Sequence, residues 1–204
     1  TGNATDFGDL TTVREKVGGT SSSTRGVFAG ATFGSDVIDY ITIATLGNAT
    51  DFGDLTVARA WVAGVSSGTR GVFAGGASSN VIDYITIATL GNAIDFGDLT
   101  VIRGSSSGVS NSTRGVFGGG KQGGTTYNTI DYITIATTGN ATDFGDLTAD
   151  RRGTGGVSSL TRGVFGGGAD SNVMNYITID TTGNATTFGN LTATRADIAG
   201  VDGS

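Results

Sequence analysis

The stretch from Asp39 to Thr56, Asp-Tyr-Ile-Thr-Ile-Ala-Thr-Leu-Gly-Asn-Ala-Thr-Asp-Phe-Gly-Asp-Leu-Thr, returns almost verbatim from Asp83, Asp131 and Asn175. Its second half also opens the chain at Thr1. A chain written in copies must fold as copies, so the repeat decides the architecture before any other feature is read. Arg25, Arg70, Arg114 and Arg162 of the Thr-Arg-Gly-Val-Phe unit are spaced 45, 44 and 48 residues apart. Tyr40, Tyr84, Tyr132 and Tyr176 follow with spacings of 44, 48 and 44. Phe7, Phe52, Phe96, Phe144 and Phe188 mark the Phe-Gly-Asp/Asn-Leu-Thr unit, and Arg14, Arg59, Arg103, Arg151 and Arg195 come after it. This period lies in the range of four-stranded propeller blades.

One copy divides into four short predicted strands. The first is small and glycine-rich, as in residues 63–67. The second, residues 69–74, stops at Gly75-Gly76. The third, residues 81–87, is rich in β-branched and aromatic residues, as strands are. Gly91-Asn92-Ala93 forms a turn, since glycine and asparagine tolerate positive φ. The fourth strand covers residues 95–100. No stretch carries a helical apolar period, and 37 glycines in 204 residues oppose one.

The third strand is apolar on both faces, which suits a sheet packed between two neighbours. The Gly/Ser/Ala-rich first strand suits a crowded inner position, where large side chains would collide. Both constraints point to an all-β fold, a β-propeller of four-stranded blades, in preference to a β-solenoid. Complete repeats run over about residues 12–56, 57–100, 101–148 and 149–192, with additional strands at 1–11 and 193–204. The terminal strands read as the outer and inner strands of a further blade, so the expectation is a single propeller domain belonging to a longer chain.

The double glycine ending the second strand (Gly75-Gly76), the tyrosine of the third (Tyr84), the aromatic of the fourth (Phe96) and the following arginine (Arg103) together resemble the kelch repeat. The resemblance extends over essentially the whole chain. Phe52, Phe96, Phe144 and Phe188 stand where kelch repeats usually carry Trp, the Tyr-to-aromatic spacing is 12, and Gly30-Ala31 interrupts the double glycine in the first copy. The chain is thus kelch-like and divergent. The near-identical copies are also similar to repeats in virion structural proteins of tailed phages.

Composition narrows the chemistry. With no Cys there are no disulfides, thiolate metal sites or Cys nucleophiles, and with no His the commonest general base is missing. A net charge of −6 offers no clustered basic footprint for nucleic acid. No apolar run reaches the length of a membrane-spanning helix. The expectation is therefore a protein that is not an enzyme, needs no cofactor, and neither binds nucleic acid nor inserts into a membrane.

Several motifs have plainer structural readings. Asp-Phe-Gly at Asp6, Asp51, Asp95 and Asp143 lacks every companion of the kinase motif it superficially matches. Gly118-Gly119-Gly120-Lys121-Gln122-Gly123 satisfies Gly-x-Gly-x-x-Gly but lacks a βαβ setting. The pairs Asp51/Asp54, Asp95/Asp98 and Asp143/Asp146 offer oxygen ligands of the kind calcium uses, yet the last copy replaces them by Thr187 and Asn190. Turn capping, or pairing with the repeated arginines, is the reading preferred for them. Asn-Ala-Thr at Asn3, Asn48, Asn140 and Asn184 forms glycosylation sequons that recur because the turn recurs.

Function on a repeat scaffold belongs where the copies differ. The most variable stretches join second and third strands: residues 31–36, 77–80, 121–128 and 169–172. Phe33, Lys121, Gln122 and Tyr127 lie there, and Trp61, the single Trp, lies just before an inner strand. Aromatics flanked by polar groups suit sugar stacking with hydrogen bonding, so these five residues are the candidate ligand site. The resemblances imply a structural or adhesion module of a virion or other extracellular assembly. Its partners would be other assembly proteins and a host-surface glycan; a carbohydrate- or protein-binding propeller is the alternative. Near-identical copies also invite exchange between chains, and with it a homo-oligomer.

Overall fold

The computed structural model describes residues 2–32 and 34–200. Its described residues contain eighteen strands and no helix. The first sheet is β1 (Gly18–Ser21), β2 (Arg25–Ala31), β3 (Ser35–Thr42) and β4 (Thr50–Asp54). The second is β5 (Ala63–Ser66), β6 (Arg70–Gly76), β7 (Ser79–Thr86) and β8 (Ile94–Asp98). In the third, β9 (Ser107–Ser110) and β10 (Arg114–Gly118) precede a small ribbon of β11 (Lys121–Gln122) and β12 (Thr125–Thr126); β13 (Thr129–Thr134) and β14 (Thr142–Asp146) complete it. The fourth is β15 (Gly155–Ser158), β16 (Arg162–Gly166), β17 (Val173–Thr178) and β18 (Thr186–Asn190). Each four-stranded sheet is an antiparallel meander in chain order, one per sequence repeat.

The register is the same in each sheet. Val72 faces Tyr84 and Phe73 faces Asp83, with the corresponding pairs in the other three. A bulge then interrupts every pairing of third and fourth strands, between Ile82 and Asp83 in the second sheet. Phe96 is the extra residue of that bulge, and its ring meets Tyr84 edge-on at 6.0 Å.

Neighbouring sheets pack face to face, and the core consists of the three interfaces they form. Between second and third sheets, Val65, Val72, Ile82, Phe96 and Leu99 meet Phe117, Ile133 and Ile135. The other two interfaces repeat this arrangement. Fully burying each of these large side chains contributes about 1.5–3 kcal/mol, so the interfaces are where most apolar stabilisation arises. The Gly-Asn-Ala turns tie the outer edges together. Gly91 N donates to Phe52 O at 2.9 Å, Ala93 N to Asp54 O at 2.7 Å, and Asn92 Oδ1 accepts from Asp54 N at 3.1 Å. Each turn thus covers an edge strand of the preceding sheet.

At the other edge the first strands adjoin along their backbones. A Cβ built on Gly64 would stand 2.0 Å from Gly19 O, and those built on Gly108 and Gly156 would stand 2.4 Å from Gly64 O and Gly108 O. This is the crowding expected of the glycine-rich first strand. The sheets succeed one another in a row along these strands, β1 beside β5, β5 beside β9 and β9 beside β15, and no closed barrel or propeller is detected among the described residues. The row's end faces stay exposed: Ile43 is 45% exposed where Ile87 and Ile135 are 1%, and Phe188 is 51% where Phe52, Phe96 and Phe144 are 3%.

Gly64→Ala is expected to cost about 3 kcal/mol in denaturant unfolding, because the added methyl collides with backbone. Gly124→Ala, where a Cβ meets nothing within 4 Å, should stay within about 0.5 kcal/mol. Equal responses would contradict the close approach of the first strands.

Candidate functional site

Three of the arginines that follow the Phe-Gly-Asp-Leu-Thr unit run inward and meet an aspartate of the next sheet. Arg59 Nη2 lies 2.9 Å from Asp83 Oδ2, and Arg103 Nη1 lies 2.9 Å from Asp131 Oδ2. Arg14 pairs with Asp39 in the same way. All three aspartates are fully buried. Their carboxylates are further held by the preceding segment: Thr56 Oγ1 donates to Asp83 Oδ1 at 2.5 Å and Thr56 N to Oδ2 at 3.1 Å, with Thr100 and Thr11 doing the same for Asp131 and Asp39. Arginine pairing thus falls to the aspartates of Ile-Asp-Tyr and not to the Asp51/Asp54-type pairs, for which turn capping or arginine pairing is the expectation from sequence. Among the described residues no cluster of acidic side chains is arranged to hold a metal ion.

The second arginine set is equally committed. Arg25, Arg70, Arg114 and Arg162 stack over Tyr40, Tyr84, Tyr132 and Tyr176 at 4.2–4.7 Å. Arg25, Arg70 and Arg114 also donate across the interface to Ile87 O, Ile135 O and Ile179 O.

The fourth repeat breaks the pattern. Asn175 replaces the aspartate, is fully buried, and accepts from Arg151 through Oδ1, while its Nδ2 has no hydrogen-bond partner. Burial pushes the Arg59, Arg103 and Arg151 guanidinium groups below their ordinary value. For Arg59 and Arg103 the charges and hydrogen bonds of Asp83 and Asp131 oppose that shift; Arg151 is governed by burial alone. Beside Arg151 lies a groove of about 540 Å³, whose polar lining includes Lys121, Asp150, Arg152, Asp170 and Ser171.

Of the five residues singled out in the sequence, Lys121 lines this groove. Gln122, beside it on β11, turns to Ser78: its Oε1 accepts from Ser78 N at 3.2 Å and its Nε2 donates to Ser78 Oγ at 3.4 Å. Tyr127 is half-buried, its N–H donating to Gly120 O at 2.9 Å and its carbonyl accepting from Arg151 N at 3.1 Å. Phe33 lies outside the described residues. Trp61 is half-buried, and Lys16 Nζ lies over its ring at 4.4 Å.

Trp61 also belongs to a backbone chain that the sequence did not announce. Lys16, Trp61, Ser105, Gly153 and Asp197 all have left-handed φ between 53° and 63°. Trp61 N donates to Lys16 O at 3.0 Å, Ser105 N to Trp61 O at 3.1 Å, Gly153 N to Ser105 O at 2.8 Å, and Asp197 N to Gly153 O at 2.8 Å. Four of the five carry a Cβ, so the strain of that conformation, about 1–3 kcal/mol each, is offset by this run of bonds.

Of the other groove residues, Asp170 falls in the variable stretch 169–172, whereas Asp150 and Arg152 lie outside the variable stretches, although a signal marks them. The fourth copy alone doubles the arginine, as Asp150-Arg151-Arg152, and alone replaces Ile-Asp-Tyr by Met174-Asn175-Tyr176. Neither a known protein family nor a curated protein sequence matches the chain.

Asn175→Asp is expected to stabilise the protein by about 1–2 kcal/mol at neutral pH, by giving the buried Arg151 a carboxylate partner. Asp131→Asn is expected to cost about 3 kcal/mol by removing one. Chemical denaturation of both variants checks the pair. Destabilisation by Asn175→Asp would show that the fourth site does not accept the clamp.

Proposed function

We propose that the chain is a non-enzymatic structural or adhesion module, of kelch-like propeller type, on a virion (tail, fibre or capsid decoration) or another extracellular assembly. The observation that carries this reading is the use made of the repeated functional groups. Arginine, aspartate and tyrosine recur at fixed places, and each set joins one repeat to the next or braces a sheet internally. Such a pattern builds a rigid body whose copies are equivalent, which is what a load-carrying or displaying element needs.

The propeller reading draws on the meander sheets, on first strands that adjoin through glycine, and on the resemblance to kelch repeats. The virion setting draws on the similarity to tailed-phage structural repeats. If this is right, quantitative mass spectrometry of purified particles recovers the protein at a fixed copy number that survives salt washing. Recovery only in the soluble fraction would refute the structural role.

The alternative, a carbohydrate-binding module, is favoured by the groove beside the β11–β12 ribbon, where Lys121, Arg152, Asp150 and Asp170 converge on the one repeat that departs from the others. On a glycan array, binding that falls at least tenfold in Lys121→Ala, with the circular dichroism spectrum unchanged, would establish that reading.

A further inference from the structure

Several departures from the repeat meet in the groove between the third and fourth repeats. The β11–β12 ribbon, found in the third sheet alone, contributes Lys121 to its lining. Lys121 N donates to Gly104 O at 2.8 Å, as Ala77 N does to Ala60 O at 2.9 Å and Ala169 N to Arg152 O at 3.0 Å. A lysine thus stands at a backbone place that alanine fills in the second and fourth repeats. In the same lining, Asp150 and Arg152 stand where the second repeat has Ala58 and Ala60 and the third has Ile102 and Gly104. Asp170, at φ +61°, takes the place of Ser78, at φ +59°. Four of the charges that break the repeat therefore line one groove.

Among the described residues none of these four side chains forms an ion pair, so charges of both signs are left open within the groove. Arg151 adds a third cation to the lining. It is buried, and its partner Asn175 is neutral, where Asp83 and Asp131 carry the counter-charge for Arg59 and Arg103. Three cations against two carboxylates leave this lining positive on a chain of net charge −6, and a concave wall of low dielectric concentrates that field.

The side-chain chemistry specifies what fits. An ammonium and a guanidinium without a carboxylate favour an anionic ligand group, which arginine can grip with two parallel donors. Ionised Asp150 and Asp170 only accept hydrogen bonds, and so call for a ligand rich in hydroxyl donors. The volume, about 540 Å³, is that of a small-ligand site. Among the described residues its lining holds no aromatic ring on which a neutral sugar would stack.

Building on the carbohydrate-binding reading, we infer that this groove takes the carboxylate of an acidic sugar, a hexuronate or sialic acid unit, in preference to a neutral one. Lys121 and Arg152 hold the carboxylate, Asp150 and Asp170 accept from the sugar hydroxyls, and the uncompensated charge of Arg151 strengthens the field that draws the anion in.

The test titrates the intact chain calorimetrically with hexuronate oligosaccharides and sialosides, with the methyl esters of the same glycans, and with inorganic phosphate. Esterification keeps the sugar and removes its charge. The free acids are expected to bind, and the esters to bind about tenfold more weakly or worse. Arg152→Gln and Lys121→Gln should each weaken the acids about tenfold and leave the esters unchanged. Both side chains are half-buried and outside the clamps, so the fold should persist, checked by circular dichroism. Esters that bind as tightly as the acids would keep the carbohydrate reading and overturn the acidic class. Acids whose binding neither variant changes would overturn the placement in this groove. Phosphate bound with no acidic sugar bound, or no binding at all, overturns the inference; if the glycan array also stays blank, the carbohydrate reading falls with it.

Discussion

The fold depends on a charge buried at the seam between repeats. Arg59 reaches out of the segment after β4 and ends on Asp83 in β7, where Thr56 supplies two more hydrogen bonds to the same carboxylate. Two ionised groups taken out of water are costly, and only close pairing with further hydrogen bonds compensates. That requirement fixes geometry tightly. The residue after the fourth strand, the bulge that turns the third strand and the face of the next sheet must all agree before the clamp closes. An apolar contact would tolerate sliding; a shared carboxylate does not. The repeated clamp therefore explains why sheets of nearly identical sequence meet in one register.

Around this seam the other constraints fall into place. The arginine segments turn their own carbonyls back against the double glycine of the sheet they have just left: a Cβ on Gly75 would stand 2.4 Å from Arg103 O, and Gly75 has φ +66°. The first copy keeps the matching Gly30, at φ +74°, and replaces only the second glycine by Ala31. That identifies the first glycine as the position that only glycine fills well. The Asp-Phe-Gly motif has a similar origin. Gly53 lies within 2.6 Å, as a virtual Cβ, of the Gly91 carbonyl in the next repeat. Its phenylalanine fills the interface core.

Much of the architecture was legible in the sequence because the features responsible are local and recur. Four strands per copy, the small first strand and the Gly-Asn-Ala turn all follow from residue type and period. What escaped is tertiary. Asp83 reads as a polar residue in an apolar strand, and nothing local says that it faces an arginine from the segment before it; turn capping or arginine pairing is as plausible a role for Asp95 and Asp98 on residue type alone. The left-handed residues Lys16, Trp61, Ser105, Gly153 and Asp197 share a backbone role and no chemistry, so no motif marks them. The groove was half visible. Lys121 was found through loop variation, while Arg152 and Asp150 required noticing one irregular repeat.

The most direct measurement is a double-mutant cycle on Arg59→Leu and Asp83→Leu, read by equilibrium unfolding. Each single substitution strands a buried charge, whereas the double substitution removes both, so the two costs should be strongly non-additive. The expected coupling is about 2 kcal/mol or more, with the double variant more stable than at least one single variant. Additivity within about 0.5 kcal/mol would mean that the two groups do not depend on each other, and the seam would have to be held by the apolar contacts alone.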